Sequence, residues 1–105
     1  MGAYNELKIG RCENCQSDVE IRIQFKYGDV WQYEYKMKDV LKWGGNDTGI
    51  SDARKVILDG IAARCEICGK EVDYVIHLEF NKIKSIERNL GQYHFCSEPY
   101  IIVER

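Results

Sequence analysis

What the chain lacks narrows it first. No apolar run approaches the roughly 20 residues of a membrane-spanning helix. No basic-plus-apolar leader precedes Gly2-Ala3-Tyr4-Asn5-Glu6 either, so the expectation is a cytoplasmic protein with no membrane partner. Positive charge is not in excess: 15 Lys and Arg against 17 Asp and Glu give a formal net charge of −2. Nucleic-acid affinity rests on cationic neutralisation of phosphates, which makes DNA or RNA the lesser partner. No G-x-S-x-G, P-loop, dinucleotide fingerprint or H-E-x-x-H occurs, and no enzyme is expected. The five cysteines are not an even set, which argues against a complete disulfide framework. In a reducing cytosol, paired cysteines are metal ligands or redox groups.

What is present begins with two short motifs, Cys12-Glu13-Asn14-Cys15 and Cys65-Glu66-Ile67-Cys68. Each C-x-x-C turns two thiolates towards one point, and two such turns complete the four-coordinate shell of a structural zinc site. Cys12, Cys15, Cys65 and Cys68 are therefore the candidate metal ligands. Four protein ligands leave no open position for water, so metal-assisted hydrolysis is not expected. Bound cysteines are deprotonated, and four of them on a divalent ion would bring the net charge to about −4. The 105 residues suffice for one domain, residues 1–105, which at this size buries about 60–70% of its unfolded surface. A metal staple would supplement so modest a core.

Around the motifs the pattern is that of strands. Leu7-Lys8-Ile9 leads into Cys12. Val19, Ile21, Ile23, Phe25 and Tyr27 then alternate with Glu20, Arg22, Gln24 and Lys26, as in a half-buried strand. A turn at Gly28-Asp29 predicts a return strand from Val30 to Met37, with Trp31, Tyr33 and Tyr35 on its core face. A further turn at Lys38-Asp39 predicts a third strand over Val40-Leu41-Lys42-Trp43, completing a meander. Gly44, Gly45, Asn46, Asp47, Thr48 and Gly49 form a breaker, either a functional tip for a partner or a tolerant connection. Residues 50–64 fit both periods. The β-branched Val56-Ile57 pair and the lead into Cys65 favour a strand over 55–63. Val72 to Phe80 alternates again and turns at Asn81-Lys82. A partner over 83–87 follows, and 92–96 and 100–103 are closing strands.

Offset by 53 residues, Cys12, Glu13, Cys15, Val19 and Ile23 coincide with Cys65, Glu66, Cys68, Val72 and Ile76. One strand–knuckle–strand unit thus reads as used twice, over 7–27 and 58–80. With its two knuckles, the second continuing as Gly69-Lys70, the chain resembles the zinc-ribbon and rubredoxin-like fold group. Gly69 fits the glycine that often follows the second cysteine there, whereas Gln16 departs. The resemblance implies an all-β fold, duplicated ribbon-like hairpins elaborated into an antiparallel sheet around one four-cysteine site. It says little of function, because unrelated activities share a fold.

The expected function is a small non-enzymatic, zinc-stabilised protein-binding module such as an adaptor, an assembly subunit or an inhibitor of the immunity type. It would bind through an edge strand, an acidic face or the 44–49 loop. A nucleic-acid-binding ribbon and an iron electron carrier are the alternatives, iron being the lesser metal. Cys96, with His94 two residues before it, is expected to be a small buried hydrophobe. His77 is expected to be solvated on the polar face of its strand.

Overall fold

The computed structural model describes residues 4–105, and among them every regular element is a strand. The nine strands are β1 (Asn5–Arg11), β2 (Asp18–Phe25), β3 (Gly28–Asp29), β4 (Glu34–Tyr35), β5 (Asp47–Thr48), β6 (Lys55–Ala62), β7 (Asp73–Glu79), β8 (Lys82–Arg88) and β9 (Tyr100–Glu104). No helix among them is long and apolar enough to cross a membrane. The main sheet runs β4-β1-β2-β6-β7-β8.

Alternation decides which side chains go inside. Ile21, Ile23 and Phe25 of β2 are buried, as are Val56 and Leu58 of β6 and Tyr74, Ile76 and Leu78 of β7. The sheet curls so that these faces share one core with Leu7, Tyr27, Tyr35 and Ile83. Fully burying one such aliphatic side chain contributes about 1.5–3 kcal/mol relative to leaving it exposed. On the outer face Lys8 and Arg22 pair with Glu6, Glu20 and Glu34 at 3.2–3.7 Å. These pairs are half-exposed, so solvent and salt screen them and each contributes little. The ambiguous segment is settled as strand β6, the most heavily used in the sheet. One edge pairs with β7 over Lys55–Ile61, while the other is shared: β9 takes Lys55–Leu58 and β2 takes Ile61 and Ala62. The sheet forks where β2 and β9 part.

The predicted meander does not form. Instead of returning beside β2, the chain crosses the end of β1 and lies parallel to it as β4, making the sheet mixed. One buried side chain organises the crossing. Asn5 donates to the carbonyls of Tyr27 and Asp29, and its Oδ1 accepts from the backbone N–H groups of Trp31 and Tyr33. Such a satisfied polar group fixes one path, because any other would leave it buried without partners. The aromatic line therefore breaks up: Trp31 is exposed, Tyr33 half-buried and Tyr35 buried. The predicted strand over Val40–Trp43 is reduced to a single bridge from Val40 to Lys82. Residues 92–96 are not a strand but part of an irregular loop. Its Gln92 bonds Glu87, and its Tyr93 ring meets the His77 ring edge-on.

The glycine-rich breaker is a folded structure. Asp47 and Thr48 pair with Asp29 and Gly28 as a small second sheet. The carboxylate of Asp47 accepts from Gly44 and Gly45, and that of Asp29 accepts from Asn46. Tyr27 closes the far end, donating its hydroxyl to the Ile50 carbonyl and accepting from the Ile50 N–H. Gly49 has φ +97°, and a Cβ there would lie 2.0 Å from the Tyr27 ring. Only glycine lets ring and backbone approach so closely.

Candidate metal centre

Each knuckle is made by the backbone before any metal is considered. In the first, the Cys12 N–H donates to the Ser17 carbonyl at 3.1 Å, and the Gln16 N–H donates to the Cys12 carbonyl at 2.8 Å. In the second, the Cys65 N–H donates to the Lys70 carbonyl at 3.0 Å, and the Gly69 N–H to the Cys65 carbonyl at 2.9 Å. The corresponding donors and acceptors differ by 53 residues throughout. Both turns need a left-handed residue after the second cysteine, Gln16 at φ 63° and Gly69 at φ 71°. Gln16, the departure from the ribbon pattern, thus adopts the glycine's conformation.

The sheet then brings the turns together. β1 delivers Cys12 and β6 delivers Cys65. The antiparallel pairing of Ile23 with Ala62 carries the end of β6 towards the start of β2, beside the first knuckle. All four sulfurs lie within 4.8 Å of one another. Across the knuckles, Cys12 and Cys68 are 3.9 Å apart, as are Cys15 and Cys65. Tetrahedral coordination at the usual Zn–S length of about 2.3 Å requires sulfurs about 3.8 Å apart. A disulfide would need about 2.05 Å. The donor set fits one soft, tetrahedral metal ion. Cys12 and Cys65 are buried, while Cys15 and Cys68 are partly open to solvent.

Electrostatics makes the four sulfurs unequal. The Asn14 side-chain amide, followed by the Lys70 N–H, holds Cys68 down to about 6. Hydrogen bonds from the Ser17 hydroxyl and N–H lower Cys15. At Cys12 the Cys15 N–H pulls down, yet burial and the neighbouring sulfurs prevail and push the thiol up to about 11. Four sulfurs this close share protons as one system. A cation at the centre is what allows all of them to ionise.

Three further residues support the centre. Asn14 of the first knuckle donates to Cys68 Sγ of the second at 3.5 Å, and Arg88 of β8 donates to Asn14 Oδ1 at 2.8 Å. The buried Tyr74 hydroxyl accepts from the Glu13 N–H at 3.3 Å. Asn14 lies within the first motif, whose spacing marks only the cysteines; Tyr74 read as a strand residue, and Arg88 lay just past the predicted strand over 83–87.

The remaining candidates lie elsewhere. Gly44, Gly45, Asn46, Asp47, Thr48 and Gly49 belong to the small second sheet and its turn. Cys96 is exposed, not a buried hydrophobe, because the loop carrying it is irregular and turns the thiol outwards. His77 is half-buried rather than solvated, its Nε2 2.7 Å from Glu87 Oε2. Gln92, and then His77, hold the Glu87 carboxyl below the usual carboxylate range. Comparison with protein-family models, curated proteins and solved structures returns no match.

Proposed function

We propose that the chain is a non-enzymatic, zinc-stabilised module of the zinc-ribbon kind that binds another protein. The observation carrying this reading is the chemistry of the metal centre, whose four cysteine sulfurs complete a tetrahedral shell and leave no position for a substrate or water. The metal then acts on the fold, and function passes to the surface. Large apolar side chains stand there, Leu90 at 74%, Trp31 at 68% and Phe80 at 66% exposed. Tryptophan in particular is enriched among interface anchors. Zinc is favoured over ferrous iron by the general affinity order of divalent metals. The missing glycine of the first knuckle does not weigh against iron, since Gln16 supplies the same turn.

The test is capture from the native host on the immobilised chain after nuclease treatment, with metal analysis of the same preparation. One protein retained by the wild type and lost by Trp31→Ala, together with one equivalent of zinc, is the expected result. Nucleic acid as the sole salt-sensitive species captured from untreated extract would overturn the protein-binding reading. A coloured protein with a sulfur-to-iron absorption band would overturn zinc.

A further inference from the structure

The fork in the sheet opens a cleft that has no part in the metal centre. It lies where β2 and β9 part along β6, and its volume is about 390 Å³. Ligand-sized pockets span about 300–1,000 Å³. Tyr4, Ile61 and Pro99 line its apolar part, and Gln24 and Lys26 stand on the β2 side. Ile61 is more than half exposed, an uncovered branched side chain in the middle of a sheet.

Asp59 is the acidic group of the cleft. Its backbone N–H is used, donating to the Pro99 carbonyl at 3.0 Å. Among the described residues its half-buried carboxylate has neither an ion pair nor a side-chain hydrogen bond. Burial, and then the charge of Asp73, push that carboxyl above its ordinary range. Asp73 is directly opposite Ile61 on β7, so both carboxylates share a face of the sheet with the exposed isoleucine. Lys26 lines the same cleft but forms no ion pair with Asp59. A half-buried carboxylate without a partner is costly, and a cation arriving with its own apolar stem would relieve that cost while covering Ile61.

We propose that the cleft at the sheet fork receives a lysine or arginine side chain of the bound protein, its cation on Asp59 and its methylene stem against Ile61 and Pro99. The identity of the source rests on the protein-binding reading above; the cation site itself rests on the cleft.

The test uses the metal-loaded protein and N-acetyl-lysine methylamide, followed by amide NMR. Shifts at Gln24, Asp59 and Ile61 are expected, and the norleucine analogue should bind at least roughly tenfold more weakly, as loss of a charge-assisted hydrogen bond implies. Asp59→Asn should abolish the discrimination between the two probes. Independently of any variant, the ¹³C-detected titration of the Asp59 carboxyl should move to lower pH when the lysine probe is added. Equal binding of lysine and norleucine, or a titration the probe does not move, would overturn the site. n-Butylamine binding more than tenfold tighter than the capped lysine would overturn the protein side chain as its source. A captured protein that Asp59→Asn does not release would also overturn the proposal, leaving the binding module itself standing.

Discussion

The two knuckles perform one task with different materials. Their backbone hydrogen bonds correspond one for one, and each places a left-handed residue after its second cysteine. The second uses Gly69, for which that conformation costs little. The first uses Gln16, for which a left-handed backbone costs about 1–2 kcal/mol, and surrounds it with side-chain bonds. Gln16 Nε2 donates to the Glu13 carbonyl at 2.7 Å, Tyr74 takes the Glu13 N–H, and Asn14 reaches across to Cys68. One turn is made by intrinsic preference and the other by context. A sequence motif records only the first kind.

If the knuckles are equivalent as metal holders, losing either should be equally severe. Cys12→Ser and Cys65→Ser should each abolish cooperative unfolding, since apparent zinc binding of about 10–16 kcal/mol in small systems rivals a whole domain's net stability of about 5–15 kcal/mol. Thermal melts and dispersion of amide resonances check this. One variant folded at the wild-type melting temperature would break the symmetry and the structural role together.

The turn residues should separate the knuckles. Gly69→Ala should cost about 1–2 kcal/mol from backbone strain alone, because a Cβ there meets nothing within 4 Å. Gln16→Gly relieves the same strain but forfeits the bond to Glu13, worth about 0.5–1.5 kcal/mol, and loosens the unfolded chain. It should therefore stay within about 0.5 kcal/mol of wild type by denaturant midpoint. A gain from Gln16→Gly as large as the loss from Gly69→Ala would show that context contributes nothing.

Tyr74 supports only the first knuckle, and its contribution should depend on pH. Tyr74→Phe should cost about 1 kcal/mol near neutrality, the usual worth of one hydrogen bond. Burial raises the Tyr74 phenol, so the folded state holds its proton more tightly than the unfolded chain. The resulting stability is complete below the unfolded tyrosine value of about 10 and is lost as pH rises beyond it. Buried Tyr27 and Tyr35 shift in the same direction and remain in both proteins. The gap between variant and wild type should accordingly narrow above that pH, read from denaturant midpoints across the alkaline range.

The smallest effect belongs to Asn14. Supporting hydrogen bonds at metal sites are worth about 10–100-fold in affinity; exposure of Asn14 should bring Asn14→Ala to about threefold faster transfer of metal to a chromogenic chelator. Arg88→Ala should reproduce part of that effect and add nothing to Asn14→Ala, since both act through one hydrogen-bond chain. Without the donor, Cys68 becomes the better base, and acid-induced metal release should shift to higher pH.

Much of this was legible in period-2 patterns and spacing. β2, β6, β7, β8 and β9 each show alternation or β-branched content, and the cysteine spacing located the four-sulfur cluster. Alternation assigns faces, however, not partners. Val30 to Met37 alternates well, but Asn5 holds the crossing and Gln32 turns the chain at φ 60° without a glycine to mark it. The irregular loop around Cys96 likewise carries no signal distinguishing it from a strand. Asn14, Tyr74 and Arg88 meet only after folding, at separations of 54 to 74 residues for the bonds of Asn14.

The spacing of the candidate metal ligands also has a consequence for the order in which the molecule comes apart. A metal bridging the knuckles ties off the 49 residues between Cys15 and Cys65 as a closed ring. Cross-linking a ring of that size removes about 4 kcal/mol of chain entropy from the unfolded ensemble. The aromatic crossing, the small second sheet and β6 all lie inside it; β8 and β9 lie outside, tethered at one end only. While metal is bound, the carboxyl-terminal strands can fray as an open tail and the ring cannot. Limited proteolysis of the loaded protein should therefore trim the chain from β9 inwards, with the span between the knuckles surviving as the resistant fragment.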